Sequence, residues 1–302
     1  MTTYAGLPPI VVGVENTDGG RLAIAWGADE AARRRLPLLL VHALDWPIGI
    51  DRDTKGDGYH QTWPGRFRNA GRLALDEARV QAAGRHPELT VETDLVDGEP
   101  VDVLRERAMG AAMLVLGSRH LSSVTELMTT GGIAVPVTAH AACPVVVVRA
   151  SEREAGDARR IVVAVDGSRR SEAAVAYAFE EASVRGLPLL AVHVRQPLAG
   201  LMSGISIPDE MQEGRIRLAE TLAGWSEKHP EVTVTRDVLV GHPVATLVQV
   251  SEHALCLVVG TRGLGGFEGM LLGSVSHGLI HRAYCPLVIV PATHDAEEPE
   301  ER

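Results

Sequence analysis

The sequence predicts two α/β units in tandem, each a five-stranded parallel sheet with helices on both faces. Three observations predict it: the chain repeats itself, short apolar runs alternate with longer amphipathic stretches, and the core-forming residues are aliphatic. Ile10-Val11-Val12-Gly13-Val14-Glu15 matches Ile161-Val162-Val163-Ala164-Val165-Asp166 at an offset of 151. Leu36 to His42 matches Leu187 to His193 at the same 151. His86-Pro87-Glu88 and Gly117-Ser118-Arg119 match His229-Pro230-Glu231 and Gly260-Thr261-Arg262 at 143, and Cys143-Pro144 matches Cys285-Pro286 at 142. The first copy therefore holds about eight extra residues before its second helix (151 − 143) and one extra in its glycine loop (143 − 142). Five ordered matches identify a duplication.

Each copy reads as β-α-β-α-β-α-β-α-β. In the first, strands are expected near 10–15, 38–43, 89–96, 113–117 and 145–149, and helices near 20–34, 66–85, 99–109 and 132–141. In the second, strands are expected near 161–166, 189–194, 232–240, 255–259 and 287–291, and helices near 171–185, 209–228, 242–253 and 274–283. Apolar strands alternating with amphipathic helices bury a parallel sheet on both sides. The domain expectation is residues 1–149, a polar linker over 150–160, a second domain over 161–293 and an acidic tail over 294–302. Trp46 to Phe67 reads as a long loop, a lid or only an insertion.

Composition agrees. The 302 residues suit two domains of about 150 each. Hydrophobic residues make up 45% and aromatics 4%, so the core rests on Val, Leu, Ile and Ala, as buried parallel strands require. A net charge of −10 with no long basic run argues against nucleic-acid binding. Met1 to Pro9 lacks the basic and apolar regions of a signal peptide, and no apolar run is long enough to span a membrane. Cys143, Cys256 and Cys285 form no metal or CxxC pattern. The expectation is a cytoplasmic protein with reduced, buried thiols.

The chemistry concentrates in one stretch. Gly260-Thr261-Arg262-Gly263 follows an apolar strand, and Gly273-Ser274-Val275-Ser276 opens a helix, giving Gly-x2-Gly-x9-Gly-Ser. Strand, glycine loop and helix start is where an α/β protein holds a phosphate, because glycines allow close approach and free helix amides point at the anion. A Walker loop is excluded: neither of the two lysines, Lys55 and Lys228, follows a glycine. The dinucleotide fingerprint fails at Glu268, which stands where its third glycine belongs.

The glycine pattern, the Val165-Asp166-Gly167-Ser168 ending of the first strand and the tandem repeat together resemble the universal stress protein family over nearly the whole chain. That resemblance implies a Rossmann-like, adenine nucleotide alpha hydrolase-like fold with strand order 3-2-1-4-5. A ligand would then lie beyond the carboxyl ends of the first and fourth strands, where the sheet reverses direction. It also implies an ATP site: Asp166 on the adenosine, Val194 lining the adenine pocket, and Gly260, Gly263, Gly273, Ser274, Val275 and Ser276 around the triphosphate. Ser274 and Ser276 would add hydroxyl donors, and Mg2+ would be held through the phosphates. Association through the last strands, Val145 to Val148 and Leu287 to Val290, within the chain and in a homodimer, is a further implication, as is a role in stress or dormancy.

The first copy departs from the pattern. Glu15 replaces the aspartate, His120 the second glycine and Gly132 the serine, with Gly117 and Gly131 retained. Pro136 falls in the first turns of the next helix, where a kink is the expectation. The expectation is that Glu15, Gly117, Gly131 and Gly132 make a weak nucleotide site or none.

Plainer readings stand beside these. Asp166-Gly167-Ser168 alone is equally a turn with a helix cap, and the glycines alone equally a flexible loop. His277 and His281 have metal-ligand spacing but no third partner, which favours a solvated or interface face. His42 and His193 read as hydrogen-bonded core histidines. No paired carboxylate, nucleophile with its base or phosphotransfer signature is present. Binding of ATP with at most slow hydrolysis is therefore expected. The alternatives are a slow ATPase or an enzyme autophosphorylated on Ser274 or Ser276, a nucleotide-free interaction module, and a flavin carrier.

Overall fold

Runs of β-branched and aliphatic residues too short for a helix fold as strands, and the intervening amphipathic stretches cover them. A computed structural model describes residues 6–46, 62–118, 132–149, 160–168, 171–196, 207–263 and 272–292. The chain divides into two units, residues 1–150 and 151–302.

In the first unit the strands are β1 (Ile10–Gly13), β2 (Leu38–Leu44), β3 (Val91–Asp97), β4 (Met113–Ser118) and β5 (Val145–Arg149). Their order is β3-β2-β1-β4-β5, and each neighbouring pair is parallel. In the second unit β6 (Ile161–Ala164), β7 (Leu189–Arg195), β8 (Val234–Val240), β9 (Cys256–Gly260) and β10 (Leu287–Val290) lie in the order β8-β7-β6-β9-β10, again parallel. Both orders are the expected 3-2-1-4-5. The central strands are buried on both faces: Ile10, Val11 and Val12, and Ile161, Val162 and Val163, are all 0% exposed. Sheets covered on both sides need such unbroken apolar strands.

The duplication extends into the packing. His42 and His193 each donate Nδ1–H to the carbonyl at the end of the neighbouring central strand, Val14 O at 2.9 Å and Val165 O at 2.7 Å. A carbonyl can only accept, so the proton sits on Nδ1 in both rings. Gly71 and Gly214, on the helices Thr62–Arg85 and Ile207–Thr221, bring those helices against the rings. A β-carbon on Gly71 would lie 2.9 Å from His42 Cδ2, and one on Gly214 would lie 3.1 Å from His193 Cδ2. The first helices, Asp18–Arg34 and Ser171–Arg185, each bury one glutamate, Glu30 or Glu181, paired with Arg34 or Arg185 one turn later.

Three local expectations change. The helix expected over 209–228 is two helices, Ile207–Thr221 and Trp225–Lys228, broken at Gly224 with φ 76°. Amphipathic period alone continues through that left-handed residue. The helix expected from 66 begins at Thr62, and Trp46, 8% exposed, donates its indole N–H to Asp97 at 2.9 Å. Pro136 is the third residue of the helix Ala134–His140, in the first turn, where its missing N–H removes no helical hydrogen bond. Residues 47–61 of the expected loop, His120, Gly131, residues 264–271 of the glycine loop, most of the linker and the acidic tail lie outside the described residues.

Candidate functional site

The site is built where β6 and β9 end side by side at the reversal of the second sheet. Asp166, two residues past the end of β6, folds an Asx turn: Oδ1 accepts from Ser168 N at 3.0 Å and from Ser168 Oγ at 2.7 Å. Gly167, between them, has φ 84°, a conformation that costs glycine nothing. Ser168 O in turn accepts from Ser171 N at 3.0 Å and Ser171 Oγ at 2.7 Å, which starts the first helix of this unit.

The glycine loop meets that turn. A β-carbon on Gly263 would stand 2.2 Å from Asp166 Oδ2, so only glycine fits against the carboxylate as it lies. The far end of the loop folds back beside its start. Gly273 N donates to Thr261 O at 2.7 Å, and a β-carbon on Gly273 would lie 3.2 Å from that oxygen and 3.4 Å from Arg262 Cα. Thr261 N is anchored to Val290 O of β10 at 3.1 Å. Two stretches almost a hundred residues apart, the Asp166 turn and the glycine loop, thus form one cradle.

The helix Ser274–Ile280 starts from this cradle with Gly273 as N-cap and no side-chain cap on its first amides. Ser274 is exposed and Val275 half-buried. Ser276 is 4% exposed and donates Oγ–H to Gly260 O at 2.7 Å, so its hydroxyl ties the helix to β9 and faces inward. Val194, half-buried near the end of β7, pairs in register with Leu239. Arg262 is half-buried.

In the first unit the matching residues have their own surroundings. Gly117 packs on the start of the first helix: a β-carbon there would be 2.5 Å from Gly19 C and 2.6 Å from Gly20 N. Thr17 Oγ1 caps that helix through Gly20 N at 3.1 Å, whereas its counterpart Ser168 turns to Asp166. Glu15 lines a cavity of about 60 Å³ between the end of β1 and the helices Asp18–Arg34 and Thr62–Arg85. Gly132 has open space where a β-carbon would point.

The other candidates find ordinary places. His277 and His281 make an edge-to-face pair, centroids 5.6 Å apart, and among the described residues no group of three or more His, Cys, Asp or Glu is set to hold a metal. Cys143 and Cys285 are buried, and burial pushes each thiol up to about 12. No helix among the described residues is long and apolar enough to cross a membrane. The sequence reading missed Glu213 and Arg217 on the helix Ile207–Thr221. Arg217 Nη2 donates to Glu213 Oε1 at 2.7 Å, and the Arg217 stem lies over Gly167, Cδ 3.7 Å from where a β-carbon would stand. Aligning the copies at the 143 offset gives Ala70 and Ala74 there, a contrast visible in the sequence.

Comparison with known proteins follows the duplication. The profile of the Universal stress protein family matches residues 7–149 and again 158–291. The Universal stress protein Rv2005c of Mycobacterium tuberculosis is 35% identical over 286 residues, covering 93% of this chain and 96% of the relative. A universal stress protein of Mycolicibacterium smegmatis is 33% identical over 291 residues, covering 93% and 96%. Among solved structures, a universal stress protein from Archaeoglobus fulgidus superposes with a TM-score of 0.70 at 17% identity, over 95% of this chain and 97% of that one. That likeness is one of fold.

Proposed function

The chain belongs to the universal stress protein family, and we propose that its second unit binds ATP, with Mg2+ carried by the phosphates, as a nucleotide-dependent stress or dormancy regulator. The observation that carries this reading is the meeting of the Asp166 turn with the glycine loop, through Gly263 on one side and Gly273 on the other. The chain gives up a β-carbon at each point of closest approach, and uncapped helix amides open beside them. Such a cradle suits an anion bound to backbone.

In this reading Asp166 accepts from the adenosine and Val194 supplies an apolar wall for the base. The amides of Ser274, Val275 and Ser276 donate to phosphate oxygens. Each hydrogen bond to a charged group contributes roughly 1.5–3 kcal/mol, and the helix dipole about 0.3–1 kcal/mol more. Ser274 offers the hydroxyl that Ser276 does not, since Ser276 is bonded to Gly260 O. The first unit stays silent, because Glu15 replaces the aspartate, His120 the second glycine and Gly132 the serine of the pattern. The described residues supply binding groups and no nucleophile or base aimed at a phosphate, so ATP acts as a ligand that shifts a partner equilibrium. The protein works in the cytoplasm as a homodimer.

Calorimetric titration with MgATP tests the reading. One site per chain is expected, weakened at least about tenfold in Gly263→Ala and in Asp166→Ala, with phosphate release at background. Two equal tight sites would refute the silence of the first unit. Steady phosphate release that stops in Ser274→Ala would make the protein an enzyme.

A further inference from the structure

The two copies differ at the nucleoside end of the proposed site as well as in the glycine loop. In the second unit Gly167 leaves the outer face of the Asp166 turn without a side chain, and the Arg217 stem covers it, with Cδ 3.7 Å and Cβ 3.8 Å from where a β-carbon would stand. The Arg217 head is fixed by Glu213 Oε1 at 2.7 Å. Glu213 Oε2 lies 3.6 Å from Nη2 of Arg195, the residue after Val194. One chain of contacts therefore runs from the turn that presents Asp166 to the strand that presents Val194.

The first unit has none of it. At the repeat's offsets Gly167, Arg195, Glu213 and Arg217 become Asn16, Leu44, Ala70 and Ala74. Where Arg217 would stand, Ala74 lines the cavity of about 60 Å³ beside Glu15 and Asn16. The copy that keeps the full glycine pattern keeps the brace, and the copy that has lost the pattern has an empty space in its place. A surface ion pair kept only for solubility has no reason to follow the glycine loop.

We propose that Arg217, held by Glu213, is a positioning residue that fixes the Asp166–Gly167–Ser168 turn and so governs recognition of the nucleoside, not of the phosphates. The proposal rests on the ATP reading. It predicts that a ligand lacking the nucleoside ignores Arg217.

The test compares MgATP with inorganic tripolyphosphate on the full-length protein. In Arg217→Ala, ATP affinity falls about tenfold while tripolyphosphate affinity stays within about twofold, and Arg217→Lys, which keeps the stem and the charge, stays within about threefold for ATP. Alanine already stands at the matching place in the first unit, and an unchanged melting temperature checks that the variant folds. Equal loss of both ligands, or loss of neither, overturns the proposal and leaves the ATP site standing. A wild-type protein that binds tripolyphosphate but not ATP, or binds neither, overturns the ATP reading itself.

Discussion

Gly263 lies against Asp166 so closely that a β-carbon on it would stand 2.2 Å from Asp166 Oδ2. The two residues lie past the ends of different strands and are joined because β6 and β9 are neighbours at the reversal of the sheet. Their fit is mutual, so substitutions at the two positions should not add. Gly263→Ala is expected to weaken ATP binding at least about tenfold in the wild-type background and clearly less in Asp166→Ala, where the oxygen is gone. A double-mutant cycle measured by titration checks this. Additive losses would mean that the contact does not matter to binding.

The two serines at the helix start should separate stability from binding. Ser276 is buried and bonded to Gly260 O, so Ser276→Ala should lower stability by about 1 kcal/mol. Exposed Ser274 should leave stability within about 0.5 kcal/mol and weaken ATP instead. Denaturant melts and titrations of both variants check the split.

The cysteines should be inert in the native state. Burial pushes Cys143 and Cys285 up to about 12, so little thiolate exists at pH 8. A thiol reagent at pH 8 should label neither until denaturant is added. Rapid labelling of the native protein at either position would show that the last strands open.

Asp29 should make stability depend on acid. Partial burial would raise its pKa, but the hydrogen bonds from Arg85 and His86 outweigh this and hold the carboxyl below its ordinary 3.8. A depressed carboxylate contributes stability above its unfolded value, lost as pH falls through the folded one. Asp29→Asn should therefore cost up to about 1 kcal/mol at pH 7, the pair being partly exposed, with the gap closing below about pH 4. Melts of both proteins between neutral and acid pH measure it.

Much of this arrangement was legible in the sequence because duplication states each element twice. Aliphatic runs such as Ile161-Val162-Val163 leave little choice but a buried strand, whereas the strand order, and with it which ends meet, comes from the family resemblance, because periodicity carries no order. What stayed hidden depends on rotation about a helix axis. Nothing in Ser274-Val275-Ser276 says that the third residue turns inward to Gly260 while the first stays exposed. The break at Gly224 was hidden because the amphipathic period runs on through it. Gly71 and Gly214 recur at the 143 offset, but a glycine inside a helix reads as neutral until His42 and His193 are seen against it. Arg217 went unnoticed because its partner in the fold, Gly167, has no side chain to announce a contact.

The most direct test of the central claim is the nucleotide carried by the purified protein. The chain would be denatured and removed, and the released nucleotide identified and counted by chromatography and mass spectrometry, for wild type, Asp166→Ala and Gly263→Ala. The account predicts about one adenine nucleotide per chain from wild type after loading with MgATP, and almost none from either variant. Two per chain, or one that survives both substitutions, would place binding elsewhere. None from wild type, with no rise in melting temperature on adding ATP, would contradict the ATP site and leave a nucleotide-free interaction module.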